Sequence, residues 1–392
     1  MKQRKPGHTS SAPGHTFEGS VRDIASDGRA VVPHPDGPVV FVPGLWLEER
    51  ALIRVTGARG RAWQGEIVEL LDASPARRPP PCRHHGFATP SDPAPACGAC
   101  PWMFVNYPAQ LACKQSRVEQ AFERLGTAGC VAPIWATPET LGYRNRAQLK
   151  SDGKALGFVA AGSRRIAPVE DCPVLSAHNR QLLQQLRAQL PNPAWRPRRG
   201  GEWTTLDIDE EVQLESVSVN ARRPFRQAND AQNQRMRDWL AALASDFAGQ
   251  EVLELYCGTG NFTQVLSAAG ARVLALEGDD AAVDMLQQRN LPGVSARRVN
   301  LFAENAFEQL SPSVGSFEAL VLDPPRDGLK VTRGLLPKKS RLHTVAYISC
   351  DLATLVRDVA YFQQHGFDVV SVQPLDQFPH TPHIECLVHL SR

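Results

Sequence analysis

The chain has 392 residues, which at roughly 100 to 200 residues per domain predicts two or three domains. Hydrophobic residues make up 42% and charged residues 21%, a globular composition that excludes a fibrous or mostly disordered protein. No segment approaches the about 18 consecutive apolar residues that cross a membrane, and no apolar run follows the basic N-terminal residues. We therefore expect a soluble, cytoplasmic protein with no membrane partner, and a monomer as the default.

The charge balance bears on the kind of binding partner, and the cysteine count bears on whether the cysteines form disulfides. Lysine and arginine total 43 against 41 acidic residues, and the small basic excess lies in residues 76 to 224. That distribution only slightly favours a polyanionic partner. The nine cysteines are an odd number in a long chain without a secretory signal, so we expect reduced thiols, metal ligands or catalysis and no disulfide framework.

The first region holds short β-rich runs, such as residues 39–42 and 51–55, separated by Asp-Gly and glycine-rich turns. This pattern predicts a small antiparallel barrel over residues 17–72. Residues 73–81 read ASPARRPPP, a proline-rich composition typical of linkers, so we place a domain boundary near residue 75.

The middle region, residues 76–224, carries six of the nine cysteines. Helical periodicity appears over residues 108–125 and 175–190, and strand-like runs lie within residues 147–159. The mixture predicts an α+β unit.

From residue 225 onwards, strands and helices alternate. The predicted strands are 251–255, 272–276, 319–322 and 344–349, and the predicted helices are 230–245, 261–269, 280–290 and 353–364, with one more between the last two strands. This alternation is typical of a parallel sheet with helices on both faces.

A glycine-rich turn, ELYCGTGNF at residues 254–262, joins the first strand of this region to its helix. Gly258 and Gly260 permit a tight turn and a close approach of the backbone to a ligand, and Glu277 ends the next strand, where it can accept hydrogen bonds from a ribose. Thr263 stands where a dinucleotide fingerprint has a further glycine. The turn therefore favours an adenosine cofactor without pyrophosphate, most commonly S-adenosylmethionine, over NAD or a turn that binds nothing.

Three more side chains are candidates for chemistry, and the first two of them follow strands at the same edge of the predicted sheet. Asp323, in LDPPRDG, follows a strand and can hold a polar cofactor group or a base edge. Cys350 ends the next strand directly before a helix, where the amide groups of a helix N-terminus would stabilise a thiolate; the alternative is an inert buried cysteine. Glu385 is a lone carboxylate that can serve as a general base or as a structural ion-pair partner.

The middle region also contains a candidate metal site. It consists of one CxxC pair and two further cysteines: Cys82, Cys97, Cys100 and Cys172. From the residues alone, zinc and an iron–sulfur cluster are equally compatible with this spacing.

Taken together, the motifs resemble the class I RNA (uracil-C5)-methyltransferases, in particular the bacterial 23S ribosomal RNA 5-methyluridine methyltransferases that carry an iron–sulfur cluster. The resemblance implies a multidomain fold. Residues 1–75 would be an OB-like, RNA-binding TRAM barrel, in which VFVPG at 40–44 matches the domain's signature. Residues 76–224 would be a central α+β iron–sulfur and RNA-binding domain, and residues 225–392 an α/β, Rossmann-like methyltransferase domain dependent on S-adenosylmethionine.

The same resemblance implies roles for individual residues. FRQAN at 225–229 matches the family's FFQxN, with Arg226 in place of the second aromatic residue. The implied cofactor contacts are Gln227, Tyr256, Asn261, Glu277, Asn300 and Asp323. The implied ligands of a [4Fe-4S] cluster are Cys82, Cys97, Cys100 and Cys172. The stretch between Cys82 and Cys97 is longer than in the family, which leaves open whether Cys82 is a ligand.

The reaction implied by the resemblance is methylation of carbon 5 of a uridine in 23S ribosomal RNA. Cys350 would add to carbon 6 of the uracil, and Glu385 would later remove the proton from carbon 5. The alternatives are methylation of the transfer-RNA T-loop, a non-catalytic iron–sulfur RNA-binding protein and a nucleotide-dependent oxidoreductase. The sequence does not identify the uridine.

Overall fold

The computed structural model describes residues 14–87, 96–221, 223–310 and 313–392. These residues form three β-sheets with helices packed on two of them. Within the described ranges, no helix combines the length and the apolar character needed to span a bilayer.

The first sheet has six strands in the order β1-β5-β6-β4-β3-β2. They are β1 Thr16–Ser20, β2 Asp23–Ile24, β3 Ala30–Val32, β4 Val40–Val42, β5 Arg50–Arg59 and β6 Ala62–Asp72. Alternate side chains face one apolar core that includes Phe17, Val32 and Ile53. The β-rich region is therefore as predicted, but β4 and β6 run parallel, which the prediction of an antiparallel barrel missed. The cause is the long β5–β6 hairpin, which brings β6 back in the direction of β4.

The second sheet has four antiparallel strands in the order β10-β7-β8-β9. They are β7 Arg146–Ser151, β8 Leu156–Val159, β9 Ile166–Pro168 and β10 Thr204–Asp209. Helix α2, Ala177–Ala188, shares a core with this sheet through Leu182, Leu183 and Leu186.

The third sheet has seven strands in the order β13-β12-β11-β14-β15-β17-β16. They are β11 Glu251–Leu255, β12 Arg272–Glu277, β13 Val294–Arg298, β14 Ala319–Leu322, β15 Thr344–Ser349, β16 Asp368–Leu375 and β17 Glu385–Ser391. The strands from β13 to β15 are parallel to one another, whereas β17 is antiparallel to both of its neighbours. The carboxyl ends of the parallel strands and the amino end of β17 therefore meet at one edge.

Helices cover both faces of this sheet. One face carries α3 Asp230–Leu243, α4 Thr263–Ala268 and α5 Asp280–Gln288, and the other carries α1 Tyr107–Glu123 and α6 Leu352–Gln364. Helix α1 comes from the middle of the sequence, yet its Val118 and Phe122 belong to the core formed by α6 and the sheet. The domain boundaries near residues 75 and 224 stay predictions.

Two sequence predictions for this region are wrong. Residues 323–343 form turns and no helix, because Pro324, Pro325 and Pro337 interrupt the chain. The sheet is also not wholly parallel, since the link between β16 and β17, residues 376–384, is too short for the crossover of a dozen or so residues that a parallel pair requires.

Candidate active site

The glycine-rich turn between β11 and α4 has the backbone conformation that its sequence predicts. Gly258 and Gly260 have φ angles of 52° and 91°, in the left-handed region that favours glycine. A Cβ atom at Gly260 would lie 2.5 Å from Cδ1 of Leu286, so no side chain fits there, whereas one at Gly258 would meet nothing within 4 Å. The turn is thus packed on one side and open on the side of a cavity.

Glu277, the acidic residue at the end of β12, is tied to this turn. Its Oε2 accepts a hydrogen bond from the amide of Gly258 at 3.1 Å. Its Oε1 accepts from the amides of Gly278 at 2.6 Å and Asp279 at 3.0 Å. Backbone donors therefore hold the carboxylate in one orientation beside the glycine turn.

A cavity of about 420 Å³ opens at this edge of the sheet. Four of the predicted cofactor contacts line it: Gln227, Tyr256, Asn261 and Asp323. Asn300 is not among its lining residues; this side chain is exposed and accepts a hydrogen bond from the amide of Phe302 at 3.1 Å.

Asn261 belongs to a polar network that the sequence did not reveal. Its Oδ1 accepts from Nε and Nη2 of Arg237 at 3.0 and 2.8 Å, and its Nδ2 donates to Asn233 at 2.8 Å. Asn233 and Arg237 are spaced i, i+4 on α3, so they lie on one face of the helix. This spacing is the sequence feature that could have indicated that they act together.

Two carboxyl groups at this edge form no ion pair with any of the residues that the structure describes. Burial raises the pKa of Asp323 to about 7. Burial, with a smaller contribution from Asp323, raises the pKa of Glu254 to about 8. A cationic ligand in the cavity would favour the ionised form of both groups.

The third sheet brings Cys350 and Glu385 together, although 35 positions separate them in the sequence. Ser349 of β15 pairs with Cys386 of β17 in antiparallel register. Cys350 follows Ser349, and Glu385 precedes Cys386, so the two residues stand opposite each other at the edge of the sheet. Cys350 is half-buried and Glu385 is buried.

The electrostatic setting of Cys350 contradicts the prediction of a stabilised thiolate. Burial, followed by the carboxylates of Glu385 and Asp323, raises the pKa of the Cys350 thiol to about 12. These effects outweigh the helix N-terminus because the thiol is desolvated and faces two acidic groups. Burial and then Asp323 also raise the pKa of Glu385 well above its usual range.

Arg326, which the sequence reasoning did not select, is the cation that faces this pair. It lies in the same DPPRDG loop as Asp323, and its charge lowers the pKa of both Cys350 and Glu385 against the effects that raise them. Its place three residues after Asp323, a predicted site residue, is the sequence feature that could have identified it.

A second cavity of about 430 Å³, here called the basic groove, adjoins the first. Its cationic lining consists of Arg144, Arg146, Lys150, Arg223 and Arg226, and no carboxylate lines it among the described residues. Three of these cations form ion pairs with carboxylates outside the lining: Arg146 with Asp207, Arg223 with Asp209 and Arg226 with Glu211. Phe225, which is 72% exposed, lines both cavities together with Arg146, Arg223 and Arg226, so the two are continuous.

The four predicted metal ligands also converge. A cavity of about 20 Å³ is lined by Cys82, Cys97, Cys100 and Cys172, and by His84 and His85. Burial raises the pKa of Cys97 to about 11 and that of Cys172 to about 12. Within the part of the chain that the structure describes, no group of three or more His, Cys, Asp or Glu residues is arranged to hold a metal ion.

Comparison with known proteins places the chain in a family. Residues 205–392 match the family model of the tRNA (uracil-5-)-methyltransferases. An RNA methyltransferase of Nitrosomonas europaea, itself uncharacterized, is 41% identical over 382 residues, which cover 94% of this chain and 95% of the relative. The 23S rRNA (uracil(1939)-C(5))-methyltransferase RlmD of Halomonas elongata is 32% identical over 438 residues, 94% of this chain and 88% of the relative.

A solved structure shows the same fold at low sequence identity. The tRNA (uracil-54, C5)-methyltransferase of Pyrococcus abyssi, in complex with S-adenosyl-L-homocysteine, matches with a TM-score of 0.70 at 20% identity. The match covers 95% of this chain and 99% of the other. The resemblance seen in the sequence is thus confirmed, and this chain belongs to the family of RNA (uracil-C5)-methyltransferases.

Proposed function

We propose that this protein methylates carbon 5 of a uridine in 23S ribosomal RNA through a transient bond between Cys350 and carbon 6 of the uracil. The observation that carries this proposal is the β15–β17 register, which stands Cys350 opposite Glu385. Both groups face Asp323, which lines the cofactor cavity. A nucleophile and a proton acceptor beside one cavity are what this reaction needs.

Carbon 5 of uracil is a weak nucleophile, so the protein must first increase its electron density. The Cys350 thiol gives up its proton to solvent, its sulfur forms a bond to carbon 6, and the electron pair of the carbon 5–carbon 6 double bond shifts onto carbon 5. When bound, S-adenosylmethionine would supply the methyl group that carbon 5 takes and would leave as S-adenosylhomocysteine. Glu385 then accepts the proton of carbon 5, and the double bond forms again as the sulfur leaves carbon 6.

The acid–base properties of the pair are consistent with these roles. A carboxylate whose pKa is raised by burial binds an abstracted proton more firmly, so Glu385 suits the role of base once nearby positive charge favours its ionised form. The raised pKa of Cys350 means that the free protein holds a thiol. Positive charge, from Arg326 and from the sulfonium of the cofactor, would favour the thiolate once the site is filled.

The cofactor would lie in the cavity of about 420 Å³, beside the glycine turn. Gln227, Tyr256, Asn261 and Asp323 line this cavity, and Glu277 is held against the turn by Gly258. These five residues, with Asn300 beyond β13, are the proposed contacts of S-adenosylmethionine.

The basic groove is the proposed path of the RNA. It leads directly into the cofactor cavity and has no carboxylate among its described lining residues, as a phosphate backbone requires. The target uridine must leave its stack to reach Cys350, at a cost of a few kcal/mol that single-stranded loops reduce. The relatives named 23S rRNA methyltransferases are 32% and 30% identical to this chain, against 20% for the tRNA methyltransferase of Pyrococcus abyssi, which supports ribosomal RNA over transfer RNA.

A [4Fe-4S] cluster held by Cys82, Cys97, Cys100 and Cys172 completes the proposal. The four cysteines line one cavity. Burial raises the pKa values of Cys97 and Cys172, so a bound cation would be needed to favour their thiolate forms. A cluster separates its four thiolates more widely than a single ion does, so the lack of a single-ion site among the described residues is compatible with it. Ala99 and Phe158 line both this cavity and the basic groove, which gives the cluster a structural or RNA-docking role.

The covalent step is tested with RNA that contains 5-fluorouridine, whose fluorine cannot be removed as a proton. The protein is expected to form an adduct with this RNA that survives denaturing electrophoresis, and Cys350→Ala is expected to form none and to lose methyl transfer. Cys130→Ser is the matched control, because the serine hydroxyl keeps the hydrogen bond from Cys130 to the Val369 carbonyl. An adduct formed by Cys350→Ala would refute the proposed nucleophile.

The RNA target is tested by mapping 5-methyluridine in cells that lack this protein. We expect one or more 23S positions to lose the modification, beginning with uridine 1939, for which the relatives are named, while the transfer-RNA T-loop keeps it. Restoration by the wild-type gene and not by Cys350→Ala is the control. Loss of the T-loop modification instead would establish the transfer-RNA alternative.

The raised pKa of Cys350 predicts the pH dependence of its alkylation. A thiol with a pKa of about 12 is protonated at neutral pH, so its reaction with iodoacetamide should rise about tenfold per pH unit from pH 7 to 10 in the free protein. Mass spectrometry of the peptide that contains Cys350 measures the rate. In denatured protein, the same rate should level off near the ordinary thiol pKa of about 8.5. A plateau below pH 9 in the folded protein would contradict the expectation.

The cluster is tested on protein purified without oxygen. We expect iron and acid-labile sulfide in equal amounts, and we expect Cys172→Ser to lose both while Cys130→Ser retains them. Zinc without sulfide would instead establish the zinc alternative that the cysteine spacing left open.

A further inference from the structure

The segment that leads into Glu385 is held from outside its own sheet. Residues 376–384, here called the base loop, join β16 to β17 and are mostly buried. They contribute no strand of their own. Strand pairing with Leu375 sets the register of Glu385, whereas the path of the chain into Glu385 depends on the side chains that bind the base loop.

Helix α1 supplies an ion pair to the base loop. Nζ of Lys114 lies 2.6 Å from Oδ1 of Asp376, and both side chains are fully buried. Lys114 also donates a hydrogen bond to the carbonyl of Phe378 at 3.3 Å. One ammonium group thus fixes two points at the start of the loop.

The same face of α1 binds the rest of the loop. Oε1 of Gln110 accepts a hydrogen bond from the amide of His380 at 2.8 Å, and Nη1 of Arg117 donates to the carbonyl of Pro382 at 3.0 Å. Gln110, Lys114 and Arg117 are spaced i, i+4 and i+7, so they form one stripe along the helix. The stripe contacts the loop from its first residue to within three residues of Glu385.

Helix α1 also packs against the helix that follows Cys350, the proposed nucleophile. Its Val118 and Phe122 pack in the same core as Leu355 and Phe362 of α6, the helix that begins directly after Cys350. The helix therefore contacts the two segments that carry the proposed nucleophile and the proposed base.

An ion pair in this place is a poor source of stability. Removing two charges from water costs several kcal/mol per ion, and well-packed apolar residues often stabilise a protein equally well. What a short buried pair supplies is a defined geometry. Lys114 also faces Glu385 closely enough for its charge to lower the pKa of that carboxyl group against the effect of burial.

We infer that Lys114 and Asp376 are positioning residues, which hold the base loop so that Glu385 reaches the proton of carbon 5. This inference rests on the proposed function. Addition of Cys350 and transfer of the methyl group precede the step that needs Glu385. A displaced base should therefore leave methylated RNA bonded to Cys350, a result that a general loss of stability does not produce.

The test follows the methylated adduct in a single turnover with RNA and S-adenosylmethionine labelled in its methyl group. Lys114→Met and Asp376→Asn each remove one charge at nearly constant volume. Both are expected to accumulate labelled protein–RNA adduct that decays about tenfold or more slowly than in the wild type. Because the two residues act as one unit, the double variant should be no slower than the slower single variant.

The matched control is another buried ion pair, between Arg77 and Glu49, with a separation of 2.6 Å and a fully buried carboxylate. Glu49→Gln should lower the melting temperature without accumulating the adduct. If Lys114→Met and Asp376→Asn behave like Glu49→Gln, with activity reduced only in proportion to the folded fraction, the inference is wrong. Should either variant fail to fold, Arg117→Gln, which removes the hydrogen bond to Pro382 together with the arginine charge, must still slow the decay.

Glu385→Gln separates this inference from the proposed function. If Glu385→Gln traps the adduct and the Lys114 and Asp376 variants do not, the positioning role alone fails. If neither Glu385→Gln nor 5-fluorouridine RNA traps any adduct, the proposed function itself fails.

Discussion

The antiparallel insertion of β17 between β15 and β16 is the constraint on which the rest of the site depends. In a wholly parallel sheet, the amino end of this strand would lie at the opposite edge, far from the cofactor cavity. Antiparallel pairing instead brings the first residue of β17 to the end of β15, with Ser349 opposite Cys386. Backbone pairing thereby brings Glu385 and Cys350 together, and the contacts of the base loop hold the segment that leads into Glu385.

The site is electrostatically incomplete without its ligands. Burial raises the pKa values of Asp323, Glu254, Glu385 and Cys350, because it removes these groups from water. The basic groove next to them is lined by cationic side chains and, among the described residues, by no carboxylate. A cationic methyl donor on the acidic side and a polyanion on the basic side would each supply the opposite charge, so both substrates would contribute to activating the proposed site.

Local sequence patterns predicted most of the elements of the third sheet. The bounds of β11, β14 and β15 are as predicted, because continuous apolar runs between turn residues identify buried parallel strands. Strand β13 was not predicted, because this edge strand is half exposed and reads as polar. Strand β16 also went unrecognised, since its exposed and buried residues do not alternate regularly.

The sequence by itself determined the glycine turn, the acidic end of β12, the positions of Cys350 and Glu385 in the chain and the four cysteines, because each depends on residue types within a few positions. Only the tertiary structure decided which of these groups meet. It paired β15 with β17, packed α1 onto a sheet that begins more than a hundred residues later, and joined Lys114 to Asp376. It also raised the pKa of Cys350, because burial and neighbouring charges arise from contacts between distant segments, which no local pattern encodes.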